Sequence, residues 1–390
     1  MQSGHARDRA VSGVDLPRPG AGADHVAAPA VARGEDIEQR RQEDHVAHPA
    51  EPDHDRVQRG RRHDSSPRAE AHKLFGAGRR WQASRKSPMR AFAWFLGLCA
   101  AALFGVAVFA YPAWALLYPH FNFPFHRVAE RIGMLALLIG FLALARYLGL
   151  ADRSSLGYGL PRRAFLRETS LAVALGVASM AAAVGLMSVL GLLEWRSGAP
   201  VAGPALLRLI ALRALSGLAV ALIEESFLRG AMHSAIERES GTRAAVLLTA
   251  LLYSVTHFFA RYHIAPEQVT AHSGLELLAG TLQLLASPAQ IADAFLALAA
   301  VGVVLGLVRA ATGNIAACIG LHAGWVWVML VSHELLEPAR AAPLAFLLSR
   351  FDGFVGWLVL GWTVLLAWPL WRFYAVRAAR AARVSSAAAP

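Results

Sequence analysis

"LLRLIALRALSGLAVALIEESFLRG", residues 206–230, is the stretch that decides the fold. It is apolar for long enough to cross about 30 Å of hydrocarbon at 1.5 Å per residue. It nevertheless ends on two adjacent carboxylates, Glu224 and Glu225, with Arg229 one turn further on. An ionisable group in a bilayer costs several kcal/mol unless it is paired or hydrated, so it is a functional candidate by default.

The rest of the chain supports a membrane reading. Of 390 residues, 56% are hydrophobic, and the mean hydropathy is +0.41, too apolar for an ordinary soluble domain. Apolar runs between polar breaks predict an all-α, polytopic integral membrane bundle of about eight transmembrane helices. They fall near 91–117, 131–149, 170–193, 205–229, 244–260, 291–310, 314–332 and 352–371. The stretch "RYHIAPEQVTAHSGLELLAGTLQLLASPAQ", residues 261–290, is too polar to span and reads as a loop with a short surface helix. No internal repeat is visible.

Residues 1–88 are a different material, rich in Arg, Asp, Glu, His, Pro and Gly and almost free of aliphatic periodicity. Such a segment buries too little apolar surface to offset its ordering entropy. The expectation is a disordered tail, or an extension upstream of a true start at Met89. Its basic run "HDRVQRGRRHD" reads as solvated. Four regions follow: the tail at 1–88, N-terminal membrane helices at 89–200, a catalytic membrane core at 201–335, and a last helix with a basic tail at 336–390.

Arginine placement predicts orientation. Arg85, Lys86, Arg90, Arg153, Arg162, Arg163, Arg167, Arg229, Arg238 and Arg243, together with Arg372, Arg377, Arg380 and Arg383, fall on one side if eight spans are crossed. The other connections are poorer in arginine. The expectation is a multi-pass inner (plasma) membrane protein with both termini in the cytoplasm. The net charge of +11 then favours the inner leaflet of the lipid bilayer, and no nucleic-acid-binding motif is present. Cys99 and Cys318 lie in apolar runs without a CxxC or Cys/His cluster, and read as small core residues.

Three intramembrane sites stand out: Glu224, Glu225 and Arg229; His257 in "LLYSVTHFFA"; and His322 in "NIAACIGLHAGWVWVML". On a helix, Glu225 and Arg229 face each other as an i, i+4 pair. Glu224 lies about 100° away and is left to point into a cavity. If the fourth helix runs on to about Arg238 and a fifth starts near Thr242, Glu224 and His257 each lie about 20 Å above that end. His322 lies about 12 Å above Asn314. Three helices thus bring carboxylates and imidazoles to comparable depth. His233, His263, His272 and His333 are expected near interfaces or in loops, solvated. "HELLE" at 333–337 lacks the second histidine of a zincin and is set aside.

The order of these motifs resembles the CPBP family, the CAAX-protease and bacteriocin-processing intramembrane proteases related to the Ras-converting CAAX endopeptidase. The residues that carry it are Glu224-Glu225-Ser226-Phe227-Leu228-Arg229, then Tyr253-Ser254-Val255-Thr256-His257, then His322-Ala323-Gly324-Trp325-Val326. The resemblance covers residues 205–330. It implies that Glu224 activates the attacking water, that Glu225 and Arg229 support it, and that His257 and His322 orient the water, stabilise the transition state or bind a metal. A set of Glu224, His257 and His322 is compatible with zinc and equally with metal-free hydrolysis.

Two positions depart from the family pattern. Tyr253 stands where phenylalanine is common, and Val326 stands where the family has a polar amide thought to stabilise the oxyanion. Losing such a donor elsewhere costs on the order of 10²–10³ in rate. The candidates to replace it are a backbone amide or the indoles of Trp325 and Trp327.

The function expected is an intramembrane endopeptidase acting on a membrane-anchored protein or peptide. The Arg- and Ala-rich, Lys-poor composition favours a bacterial maturation peptide over a prenylated substrate. The rival readings are a non-catalytic scaffold or immunity protein and, with less support, a proton-coupled transporter.

Overall fold

In the computed structural model, residues 89–200, 202–258 and 263–387 are described. The expectations for residues 1–88 lie outside them. The helices are α1 (Arg90–Phe121), α2 (Phe125–Tyr147), α3 (Arg162–Val189), α4 (Gly203–Glu225), a π-helical turn (Ser226–Met232) and α5 (His233–Thr256). Then come α6 (Ser273–Leu285), α7 (Pro288–Thr312), α8 (Ala316–Leu335) and α9 (Trp357–Ala387).

Among the described residues, seven helices are long and apolar enough to cross a membrane, and one of them is the continuous stretch Gly203–Thr256. Fifty-four residues are far too many for one crossing. The stretch breaks at Gly241, whose φ of 83° and ψ of 168° are non-helical. The guanidinium of Arg229 lies 4.8 Å from the centroid of the Tyr253 ring. Residues 24 apart on a straight helix would be about 36 Å apart. Gly241, midway between them, is therefore the tip of a helical hairpin. Its two arms make the eight passes the sequence predicts.

Contacts between residues far apart in the sequence fix which ends share a face. Glu239 accepts from the Ala91 backbone at 2.7 Å, Ser234 donates to the Ser155 carbonyl at 2.6 Å, and Ile315 donates to the Gly157 carbonyl at 3.1 Å. Arg377 of α9 pairs with Glu168 of α3 at 2.7 Å. The start of α1, the α2–α3 connection, the hairpin tip and the α7–α8 turn therefore lie at one end, with the basic end of α9. On the opposite end, Leu193–Trp195 (β1) pairs antiparallel with Leu336–Pro338 (β2). This ribbon was not expected. Each strand has three residues, too few to show an alternating pattern.

Helix ends depart from the apolar runs for a simple reason. α3 starts at Arg162, eight residues before the run at 170, because Arg162, Arg163 and Arg167 occupy turns that reach past the hydrocarbon. The predicted surface helix is α6. Its Leu275 and Leu282 are exposed, and Gly274 sits so close to α1 that a Cβ would lie 2.4 Å from the Ala107 carbonyl.

The centre of the bundle is α8, packed between α3 and α4. Gly320 and Gly324 form a small-xxx-small stripe that lets backbones approach closely. A Cβ on Gly320 would lie 2.4 Å from the Thr169 carbonyl, and one on Gly324 would lie 2.7 Å from the Val173 carbonyl. His322 is two residues from each glycine, about 200° around the helix. Docking the stripe on α3 therefore turns His322 to the opposite side.

Candidate active site

Glu225 is the hub. Its side chain and that of Arg229 are 0% exposed. Its Oε1 accepts from Arg229 Nη1 at 2.9 Å and from His322 Nδ1 at 2.8 Å. A carboxylate only accepts, so Nδ1 of His322 carries a hydrogen, and in the neutral ring Nε2 is then the acceptor. Arg229 also donates through Nη2 to the Gly302 carbonyl on α7 at 3.2 Å. That carbonyl is reachable because Gly302 has no side chain: a Cβ there would meet the Ala250 Cα at 2.7 Å. The i, i+4 pairing expected from sequence is present, and it falls on a π-turn, a feature that often marks functional sites.

Glu224 points elsewhere, as its position around the helix predicts. Its side chain is 33% exposed, against none for Glu225, and its Oε2 lies 3.9 Å from His322 Nε2. That is too long for a direct hydrogen bond. It is short enough for one water to touch both atoms at about 2.8 Å.

His257 differs from expectation in one respect. α5 ends at Thr256, so His257 caps the helix instead of lying within it. Its Nδ1 is 2.7 Å from the Tyr253 carbonyl. A carbonyl only accepts, so this nitrogen carries a hydrogen. The Tyr253 ring lies between the two histidines, with centroids 4.3 Å from His257 and 5.7 Å from His322.

Several expectations need correction. Neither indole is available to the site: Trp325 Nε1 donates to Ser179 Oγ at 2.9 Å, and Trp327 Nε1 donates to the Ile210 carbonyl at 3.0 Å. His233 is buried, not solvated, because the π-turn carries it into the bundle. His333 is half-buried against Phe354, whereas His263 and His272 are exposed as expected. Cys318 is buried and Cys99 half-buried, both as free thiols.

The sequence reading also overlooked Arg309, inside the sixth apolar run. It is buried, donating through Nε to the Arg229 carbonyl at 2.9 Å and through Nη2 to Ser234 Oγ at 3.1 Å. Its signal was simply an arginine in an apolar helix. It braces the π-turn from α7.

Glu224, His257 and His322 were a candidate zinc set. Among the described residues, no three His, Cys, Asp or Glu side chains converge as a metal-holding group. The donor set as placed does not fit a metal, and no step below is routed through one.

The site can thus polarise a water between a half-exposed carboxylate and an imidazole locked in one tautomer. No curated protein and no solved structure matches the chain. Residues 206–328, which hold every residue of the site, match the family model described as Type II CAAX prenyl endopeptidase Rce1-like, and that match makes this part of the chain similar to the CAAX-type membrane proteases.

Proposed function

We propose that the chain is a glutamate-dependent intramembrane endopeptidase that hydrolyses a peptide bond in a membrane-associated protein or peptide. The observation that carries this reading is the 3.9 Å gap between Glu224 Oε2 and His322 Nε2, with the other face of His322 held by the buried Glu225–Arg229 pair. A water in that gap donates one hydrogen to each acceptor, and its lone pairs are left facing outward.

As the water oxygen bonds to the scissile carbonyl carbon, its proton passes to Glu224 Oε2. When the C–N bond breaks, Glu224 returns the proton to the leaving nitrogen. The carboxylate is regenerated, and one water has been consumed. Glu225 and Arg229 act by positioning: they hold His322 with Nε2 as the acceptor. Half-exposure of Glu224 supports access for a substrate from outside the bundle. The arginine-rich end, which includes Arg153, Arg162, Arg238 and Arg377, is read as the cytoplasmic face of the inner membrane.

The test is quantitative proteomics of protein C-termini in membranes from cells carrying the wild-type chain or Glu224→Gln. C-termini that vanish only in the variant would name the substrate. Identical C-termini, with the variant stably inserted, would reject hydrolysis. That result would favour a non-catalytic membrane scaffold, the reading to which Val326 lends weight.

A further inference from the structure

Resting on that reading, we propose that the phenol of Tyr253 is the donor that stabilises the oxyanion, in place of a side-chain amide on α8. Hydrolysis through a tetrahedral intermediate places negative charge on the former carbonyl oxygen. A preorganised donor aimed at that charge is worth on the order of 10²–10³ in rate.

The donors around the site are mostly committed. Val326 has no donor, although it lies on the same face of α8 as His322, one turn on. The Trp325 and Trp327 indoles are spent on Ser179 and Ile210. The backbone amides of α8 serve the helix itself. The N–H of His322 is spent on Glu225, and that of His257 on the Tyr253 carbonyl. Ser254 and Thr256 donate to the carbonyls of Phe295 and Tyr253. Arg229 keeps an Nε–H without an acceptor among the described residues, but its side chain is completely buried and covered by the Tyr253 ring.

The Tyr253 hydroxyl is different. The residue is 3% exposed. A buried phenol normally holds a full hydrogen bond. This one has a single contact among the described residues, His322 Nε2 at 3.5 Å, the outer limit of such a bond. That nitrogen is also the one the attacking water uses, so the phenol competes weakly for it at rest. Its O–H is free to rotate onto an oxyanion once the water has reacted.

The ring is fixed in advance. Arg229 covers it at 4.8 Å, His257 tilts against it at 4.3 Å, and His322 meets it edge-on at 79°. A donor held this way costs no reorganisation at the moment of reaction. Stabilisation needs only a hydrogen bond, so the phenol keeps its proton throughout. The two departures from the family pattern, a hydroxyl gained at 253 and an amide absent at 326, then compensate each other.

The experiment uses the full chain in membranes. Its readout is the rate at which Glu224-dependent C-termini appear after induction, normalised to the amount of inserted chain. Tyr253→Phe keeps the ring and its contact with Arg229 and removes only the hydroxyl. The expected result is a slowing on the order of 10²-fold, with the amount and heat stability of the chain unchanged. Adding Val326→Asn to Tyr253→Phe should recover at least tenfold.

A Tyr253→Phe rate within threefold of wild type would overturn the inference, as would a loss that Val326→Asn does not relieve. Glu224→Gln separates the two failures. If it leaves every C-terminus intact, the protease reading falls and this inference with it. If it stops the products while Tyr253→Phe does not, only this inference falls.

Discussion

The Glu225–Arg229 pair should behave as one unit in stability measurements. Replacing Arg229 with Met leaves a fully buried carboxylate whose remaining partner is the His322 imidazole. Replacing Glu225 with Gln leaves a buried guanidinium without its counter-charge, facing the Gly302 carbonyl and the Tyr253 ring. Breaking a buried pair from one side costs about 3–5 kcal/mol, because an uncompensated charge remains. Removing both charges removes that penalty. What is lost then is mainly the charge assistance of the His322 bond, about 1.5–3 kcal/mol for a hydrogen bond to a charged group. The Arg229→Met/Glu225→Gln double variant should therefore be less destabilised than the sum of the singles by at least about 3 kcal/mol. Equilibrium unfolding in mixed micelles, followed by tryptophan fluorescence, measures all three. Single-variant costs that add to within about 0.5 kcal/mol would refute the coupling, since additivity at that level marks independent sites.

Other expectations are simpler to check. Gly324→Ala places a methyl 2.7 Å from the Val173 carbonyl and should cost about 1–3 kcal/mol by overpacking; Gly185→Ala, with nothing within 4 Å, should be neutral or stabilising in the same unfolding assay. Gly241→Ala forces a side chain into a backbone region essentially reserved for glycine and should cost about 1–3 kcal/mol, read as a lowered midpoint. Trp325→Phe and Trp327→Phe should each lose about 1 kcal/mol of stability while the rate of product formation stays within threefold, because their indoles serve the scaffold. A chelator such as EDTA should leave the appearance of Glu224-dependent C-termini unchanged; a rate that falls and returns with added zinc would reject the metal-free reaction.

Hydropathy makes the bundle legible because every crossing must satisfy its backbone internally, and a long apolar helix does so without help from distant residues. The Glu225–Arg229 pair was legible for the same reason, since i, i+4 geometry is local. What escaped depends on partners far along the chain. The burial of His233 follows from the π-turn and from α7, whose Arg309 supports that turn from 80 residues away. The engagement of Trp325 depends on Ser179, 146 residues earlier. The ribbon joins residues 193–195 to 336–338 with strands too short for any periodicity. The Tyr253 hydroxyl was visible as a letter, but its lack of a good acceptor emerges only once the neighbouring donors have been assigned.

The pairing of Glu225 with a residue on its own stretch of helix also bears on biosynthesis. His322 is 97 residues further along, so at about 5–20 residues per second it emerges roughly 5–20 s after Glu225. During that interval α4 must enter the bilayer without its imidazole partner. Arg229 emerges only four residues behind Glu225, so the carboxylate carries its own counterion into the membrane. The helix can wait there, already neutralised, until α8 arrives to complete the site.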